Sequence, residues 1–231
     1  MKIKPKAVKV YKPEIMVCPK CGNNLKYVYT VSNRGVQFSS GKVFRIKNMG
    51  YKCPKCNDYL YFSLTALKLA FKGYTYSAKV CCMIDYYKCK GYTRDRICDI
   101  LADSDIEISD RNIDIIGNKV KSYVDCDYDK AILDAYRDMN DKFGEIRVCF
   151  DLVTIDKCLY FIYYSYFSGD ILAIWKTDSA DSEFIKEIIK KYINSNYNIT
   201  TILTIRPQFR FYSVLKENIP SNVKLMSYSK F

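Results

Sequence analysis

Apolar and polar positions change their period along the chain, and these changes divide it into three stretches. Near the start, the alternation in LKYVYTV and GKVFRIK is typical of β-strands, which SNRGVQFSSG joins, and DYLYFSL follows as a further strand. From TYSAKV to about Tyr123, apolar residues recur at helical intervals. After residue 145, short strand patterns return and then alternate with helices.

Three helices are predicted in the middle stretch. The first covers TYSAKVCCMIDYYKCK, the second begins at Thr93, and the third begins at Ser109 and continues from Asp110 to Tyr123. Thr and Ser are favoured N-cap residues. The inward positions of the second and third helices are Ile97, Ile100, Leu101, Ile113, Ile116 and Val120. This arrangement predicts a helix-turn-helix whose last helix enters a major groove; a small bundle that acts as a spacer or dimerisation unit is the alternative.

The last stretch predicts a mixed α/β sheet. IRVCFDLVTID and CLYFIYYSYFS are strands that meet at a tight turn near Lys157, and DILAIWKT continues them. SADSEFIKEIIKKYINS is an amphipathic helix that starts near Ser179 or Asp181. ITTILTI, QFRFYSVLKEN and VKLMSYS follow as strand, helix and strand, so three antiparallel strands lead into parallel ones.

Four cysteines carry the most specific motif. VCPKCG separates Cys18 from Cys21 by two residues, and YKCPKC repeats the spacing at Cys53 and Cys56, with 31 residues between the two pairs. Two such turns bring four thiolates to one structural Zn²⁺, and strands between them predict a zinc ribbon. Proline after the first cysteine and Gly22 after the second fit the tight turn. Two unrelated redox or buried cysteine pairs are the alternative.

Basic residues exceed acidic ones only in the first third of the chain. Residues 1–74 carry 15 Lys or Arg and two acids, residues 75–124 carry eight of each, and residues 125–231 carry 14 and 15. The net charge of +12 therefore indicates a polyanion-binding module there, or else a solvated lysine-rich surface. The predicted DNA contacts are Lys20, Lys26, Arg34, Lys42, Arg45, Lys47, Lys52, Lys55, Arg111, Asn112, Asn118, Lys119 and Lys121.

The sequence predicts a protein without membrane spans. No apolar run reaches the roughly 18 residues that cross a bilayer, and MKIKPKAVKVYKPE lacks the apolar centre of a secretory signal. We therefore expect a cytoplasmic protein, associated with the nucleoid in a prokaryote. Eleven cysteines in such a chain favour thiols and metal ligation over disulfides. Without histidine, a metal site must use thiolates or carboxylates.

The order of these parts resembles the insertion-sequence transposases that carry a zinc ribbon, a helix-turn-helix and a ribonuclease-H-like DDE domain. GYTRDRICDILADSDIEISDRNI resembles their helix-turn-helix, and FDLVTIDKCLYFIYYSYFSGDILAIWKTDSADSEFIKEIIK resembles the first three strands and the helix of their nuclease. The resemblance covers nearly the whole chain and implies a multidomain α/β protein. Its implied parts are a basic ribbon at 1–72, a helix-turn-helix at 73–125, a linker helix at 126–144 and a truncated ribonuclease-H-like domain at 145–231.

In that family, three carboxylates hold two metal ions that drive in-line attack on a phosphodiester. Asp151 in CFDLV matches the first carboxylate, but Ile205 and Arg206 follow TILT where the second is expected, and the chain stops at Phe231 before the third. The resemblance therefore implies a degenerate nuclease in which Asp151 is a relic and Mg²⁺ binds only if activity is kept. Acids available as substitutes are Asp156, Asp170 and Asp178.

Three functions remain open at this level. The first is a transposase-derived protein that binds double-stranded DNA through the ribbon and the helix-turn-helix without strand-transfer activity. The second is an active transposase or nuclease that uses Asp151 with non-standard metal ligands. The third is a protein-interaction module, whose last strand is an edge open to pairing or to homodimer formation.

Overall fold

The computed structural model describes residues 5–57, 59–178, 182–193, 197–205 and 209–228. Within these ranges the chain is mixed α/β, with seven helices and two mixed sheets. Its contacts form two compact units. The N-terminal unit comprises Met1–Cys81 with Thr93–Ile113, and the C-terminal unit comprises Cys82–Tyr92 with Asp114–Phe231. Among the described helices, none has the length and apolar character needed to cross a membrane.

The sheet of the N-terminal unit is built around its third strand. The strands are β1 (Ala7–Tyr11), β2 (Lys26–Gln37), β3 (Val43–Lys52) and β4 (Leu60–Tyr61). β3 pairs in parallel with β1 and antiparallel with β2 and β4. One face packs on the short helix α1 (Leu64–Lys68), in a core to which Val36, Ile46 and Leu69 contribute.

β2 is longer than the hydrophobic alternation predicts. The segment SNRGVQ, predicted as part of a loop, continues the strand to Gln37 in register with β3. Its polar residues and Gly35 give it low intrinsic strand propensity, but pairing with β3 and the burial of Val36 decide its conformation. Two β-bulges interrupt this pairing, between Tyr27 and Tyr29 and between Thr30 and Ser32. The prediction of a loop over these residues was therefore wrong.

Hydrogen bonds at the start of α1 tie it to distant segments. Ser63 caps the helix by accepting from the backbone N–H of Ala66, and its own hydroxyl donates to Glu14 at 2.8 Å. Glu14 also accepts from the backbone N–H of Thr65 at 2.9 Å. DYLYFSL was predicted as one strand, but only Leu60–Tyr61 pairs, because the residues from Ser63 onward begin this helix.

Four helices follow as α2 (Ala78–Cys89), α3 (Arg94–Ala102), α4 (Asp110–Val124) and α5 (Tyr128–Phe143). Thr93 caps α3 as predicted, because its hydroxyl accepts from the backbone N–H of Arg96 at 3.3 Å. The inward positions that are buried as predicted are Ile97, Leu101, Ile113, Ile116 and Val120. Ile100, also predicted to face inward, is half-buried.

The C-terminal unit contains a five-stranded sheet with the strand order β7-β6-β5-β8-β9. β5, β6 and β7 are antiparallel neighbours, whereas β8 and β9 run parallel to β5, so the predicted mixed sheet is confirmed. Its elements are β5 (Ile146–Ile155), β6 (Cys158–Ser165), β7 (Ile171–Thr177), α6 (Ser182–Tyr192), β8 (Ile199–Ile205), α7 (Phe209–Asn218) and β9 (Lys224–Tyr228). The predicted caps of α6, Ser179 and Asp181, lie outside the described residues.

One face of this sheet carries the main core. Phe150 stacks on Phe161 and Tyr163 with ring centroids 4.7 and 4.5 Å apart, and Trp175 lies 5.7 Å from both of the latter rings. Helices α5, α6 and α7 pack on this face. Because side chains alternate across a strand, Asp151 and its neighbour Ile162 belong to the opposite face.

Candidate metal centre and predicted nucleic-acid contacts

The two cysteine pairs lie in turns of matching geometry. In each turn, the residue after the second cysteine adopts a left-handed conformation, with φ of 72° at Gly22 and 51° at Asn57. The backbone N–H of each donates to the carbonyl of the first cysteine at 2.9 Å. Glycine and asparagine enter this region at low cost, so CPKCG and CPKCN encode the same turn.

These turns bring four sulfurs together. The Sγ atoms of Cys18, Cys21, Cys53 and Cys56 all lie within 4.8 Å of one another. Cys18 Sγ is 3.9 Å from Cys56 Sγ, and Cys21 Sγ is 3.4 Å from Cys53 Sγ. A tetrahedral Zn²⁺ about 2.3 Å from each sulfur would separate the sulfurs by about 3.8 Å. The distances therefore fit a four-sulfur metal site.

Polar groups around the sulfurs favour thiolates unequally. Backbone and side-chain hydrogen bonds from Asn23 lower the pKa of Cys21 to about 6. Burial raises the pKa of Cys18, but backbone hydrogen bonds from Cys21 and Lys20 outweigh it, so this pKa is lowered. Contact with Cys21 raises the pKa of Cys56 to about 12. A divalent cation would offset the repulsion between the sulfurs and favour the thiolate at every position.

A metal held by four cysteines would organise the fold rather than catalyse a reaction. Two of the cysteines, Cys18 and Cys53, are buried with Leu25 and Tyr51 in a small core of their own. A zinc site with four protein ligands has no open coordination position. Within the described ranges, this is the single group of three or more Cys, Asp or Glu side chains close enough to share an ion.

The predicted DNA contacts of the ribbon have different environments. Lys20, Lys26, Lys42, Arg45 and Lys55 are exposed, and Lys47 and Lys52 are half-buried. The strands β1 to β4 contain six Lys or Arg residues and no Asp or Glu. The four strands therefore carry basic side chains and no acidic ones.

Arg34 is the exception and corrects the prediction. Its guanidinium donates to the backbone carbonyls of Leu67, Ala70, Phe71 and Tyr74 at 3.2 to 3.4 Å. Burial lowers its pKa. This side chain joins β2 to the end of α1. Both of its terminal nitrogens donate within the fold, and we therefore remove Arg34 from the phosphate contacts.

The remaining predicted DNA contacts lie on α4. Arg111, Asn118, Lys119 and Lys121 are exposed, and Asn112 is half-buried. Ile115, which the sequence analysis did not single out, is 45% exposed on the same helix. Its exposure breaks the predicted division into an apolar and a polar face.

Within the C-terminal unit, α4 packs closely on α2. A Cβ atom added at Gly117 would lie 2.5 Å from Cδ of Lys88, so glycine allows this close approach. Lys88 Nζ also pairs with Asp114 at 3.0 Å. This contact uses the side of α4 that carries the buried Ile116 and Val120.

Asp151 lies inside the protein rather than at its surface. The residue is 0% exposed, and its Oδ1 accepts from the backbone N–H of Leu152 at 2.9 Å. In the parallel pairing of β5 with β8, its neighbour is Ile205. The position expected to hold a second carboxylate is therefore adjacent to Asp151, and an apolar residue occupies it. Arg206 lies outside the described residues.

The other acids considered for a catalytic site are separated along the sheet. Asp156 occupies the β5–β6 turn with a φ of 50°, and Asp178 follows β7. Both are exposed at the same end of the strands, because β5 and β7 run in the same direction. Asp170 precedes β7 and therefore lies at the opposite end of the strands.

A buried polar cluster was not found from the sequence. Asp85 on α2 is 4% exposed and accepts from the hydroxyl of Tyr160 at 2.8 Å and from Lys176 Nζ at 3.2 Å. Burial and the charge of Asp85 raise the pKa of Tyr160. Burial lowers the pKa of Lys176, but interactions with Cys89 and Asp85 outweigh it and raise this pKa. The available signal was one acid within the apolar run CCMIDYY.

No protein-family model and no curated protein matches the chain. Its function is therefore inferred from the chemistry of its own residues. The four-sulfur site and the acid-free sheet around it are the features with the most direct chemical meaning.

Proposed function

We propose that this protein binds double-stranded DNA and descends from a transposase whose strand-transfer chemistry has been lost. The observation that carries the proposal is a four-cysteine site for structural zinc within a sheet whose strands carry basic residues and no acids. Lysines and arginines on such a surface neutralise phosphates and release counterions, which supplies affinity for DNA. Helix α4 then contributes exposed polar side chains that can reach base edges.

The C-terminal sheet supports the transposase origin. Its first three strands are antiparallel neighbours, and the first strand also pairs with the fourth, which runs parallel to it. This arrangement agrees with a ribonuclease-H-like domain, in which a carboxylate on the first strand and one at the end of the fourth strand share metal ions. Asp151 and Ile205 occupy these neighbouring positions. Burial of Asp151 and the apolar partner beside it favour a domain that retains the fold without the chemistry.

Binding of a labelled 20-base-pair duplex is expected to weaken steeply with salt. If five strand side chains neutralise five phosphates, the affinity falls roughly 500-fold between 50 and 200 mM monovalent salt. Fluorescence anisotropy with the zinc-loaded protein measures this dependence. Arg45→Ala combined with Lys47→Ala is expected to reduce the slope, whereas Lys130→Ala combined with Lys142→Ala in the C-terminal unit leaves it unchanged. Affinity that does not vary with salt contradicts the proposal.

The protein is expected not to nick supercoiled plasmid DNA in the presence of Mg²⁺ or Mn²⁺. A buried carboxylate beside Ile205 offers too few oxygen ligands for a pair of hard cations. Gel electrophoresis of the plasmid after incubation gives the readout. Asp151→Asn serves as the matched control, because it keeps the side-chain shape and is expected to leave duplex affinity unchanged. Nicking by the wild type that disappears in Asp151→Asn would establish an active nuclease.

A further inference from the structure

Large apolar side chains are exposed around the first cysteine turn. Seven of the ten exposed large hydrophobic side chains in the described part of the chain lie between Val8 and Tyr29. Five of them flank the turn and are called here the knuckle patch: Met16, Val17, Tyr27, Val28 and Tyr29. The segments on the two sides of the turn are paired, since the backbone N–H of Leu25 donates to the carbonyl of Met16 at 2.9 Å.

A β-bulge exposes three consecutive members of this patch. Tyr27, Val28 and Tyr29 are 50%, 47% and 49% exposed, although side chains of a regular strand alternate between two faces. The register of β2 with β3 shifts between Tyr27 and Tyr29. A bulge redirects side chains and interrupts pairing, and such features recur beside functional sites. Two aromatic rings and one β-branched side chain are therefore presented to solvent.

Two lysines lie one register position from the Tyr27 ring, on the other face of the sheet, in an arrangement that costs stability. Lys26 is directly opposite Lys52 in the antiparallel pairing of β2 with β3, and like charges in opposite positions destabilise a sheet. The next pair along the register is Tyr27 and Tyr51, whose rings contact edge to face with centroids 5.8 Å apart. An anion bound beside this lysine pair would remove the repulsion.

The positive charge of the sheet indicates which kind of ligand binds the knuckle patch. A second copy of the chain would bring the same acid-free strands against these lysines and would be repelled. The two bulges also disfavour addition of another strand to this edge. Single-stranded nucleic acid complements both the lysines and the aromatic rings, because its phosphates are anionic and its unpaired bases stack on such rings.

On the basis of the proposed nucleic-acid function, we infer that the knuckle patch binds single-stranded nucleic acid. Bases stack on Tyr27 and Tyr29, and the phosphates reach Lys26 and Lys52 around the exposed edge of β2. The ribbon thus binds unpaired strands in addition to contributing phosphate contacts to a duplex. Such a site binds the separated strands of an opened duplex.

The test compares two labelled 15-nucleotide strands that differ only in their bases. One is oligothymidine, and the other is an abasic deoxyribose-phosphate strand of equal charge. Stacking contributes roughly 5- to 150-fold in affinity for each base. We expect the zinc-loaded protein to bind oligothymidine at least tenfold more tightly than the abasic strand in fluorescence anisotropy.

Variants at the two tyrosines separate stacking from charge. Tyr27→Ala combined with Tyr29→Ala is expected to remove the preference for oligothymidine and to leave affinity for the abasic strand within twofold. Tyr27→Phe combined with Tyr29→Phe keeps the rings and is expected to keep the preference. A zinc content of one ion per chain in each variant verifies that the ribbon is folded.

The outcomes distinguish this inference from the proposed duplex function. Equal affinity of the wild type for both single strands overturns the inference, while duplex binding that persists leaves the proposed function in place. Oligothymidine binding without duplex binding supports the inference and removes the duplex function. If the alanine pair changes the mass measured by light scattering and leaves every affinity unchanged, the patch is a self-association surface and the inference fails.

Discussion

Cys53→Ser combined with Cys56→Ser is expected to abolish zinc binding and to lower duplex affinity at least 100-fold. These cysteines supply two of the four sulfurs. Structural zinc is held by four protein ligands, so the two remaining thiolates are expected not to retain the ion. Structural zinc contributes on the order of 10 to 16 kcal/mol to the folding of small zinc domains. Zinc content by elemental analysis and duplex anisotropy at 50 mM salt measure the two effects.

A control that removes two other cysteines isolates the role of the metal. Cys89 is exposed and Cys126 is half-buried, and neither belongs to the four-sulfur group. Cys89→Ser combined with Cys126→Ser is therefore expected to retain one zinc per chain and the duplex affinity of the wild type. If the Cys53 and Cys56 pair binds DNA like this control, the ribbon does not contribute the binding surface.

Asp85→Ala is expected to reduce the free energy of unfolding of the C-terminal unit by about 3 to 5 kcal/mol. The substitution leaves Lys176 charged within a mostly buried site and removes the acceptor of the Tyr160 hydroxyl. The chain has one tryptophan, Trp175, which is buried in the same unit. Its fluorescence during urea denaturation reports the midpoint and the slope of this transition.

The size of the effect depends on burial, and an exposed pair provides the comparison. Asp138 pairs with Lys142 at 2.6 Å, but both side chains are more than half exposed. Asp138→Ala is expected to leave the midpoint unchanged, since solvent screens such pairs. Asp85→Leu combined with Lys176→Met is expected to recover most of the lost stability, because no buried charge then remains unpaired. A urea midpoint for Asp85→Ala equal to that of the wild type would contradict this prediction, because it would show that water solvates the charge of Lys176.

The features that were predicted correctly depend on neighbours in sequence. Each CPKC turn is set by a proline, two cysteines and a residue that tolerates positive φ, all within five positions. The cap of α3 and the buried positions of α3 and α4 likewise follow from residues close together in the sequence. The alternation in AVKVY was also visible, although β1 was not predicted, because a single short run does not reveal its parallel partner β3.

The features that were missed depend on partners far along the chain. Arg34 has a side chain suited to phosphate contact, yet its guanidinium donates to four carbonyls more than 30 positions away. Asp85 meets Tyr160 and Lys176 only because the sheet folds beside α2 within the C-terminal unit. The sequence specifies the charge of such residues, whereas tertiary packing decides whether that charge faces solvent or a buried partner.

A metal ion at the four-sulfur site would change the electrostatic field around the N-terminal sheet. One dication surrounded by four thiolates carries a net charge of about −2, whereas four thiols are neutral. Zinc uptake would therefore release protons and subtract positive charge from the most basic part of the chain. Lys20 and Lys55, at the same place in the two turns, counterbalance this anion in both halves of the site. An ion that organised these strands would thus weaken the long-range attraction that their basic side chains exert on anions.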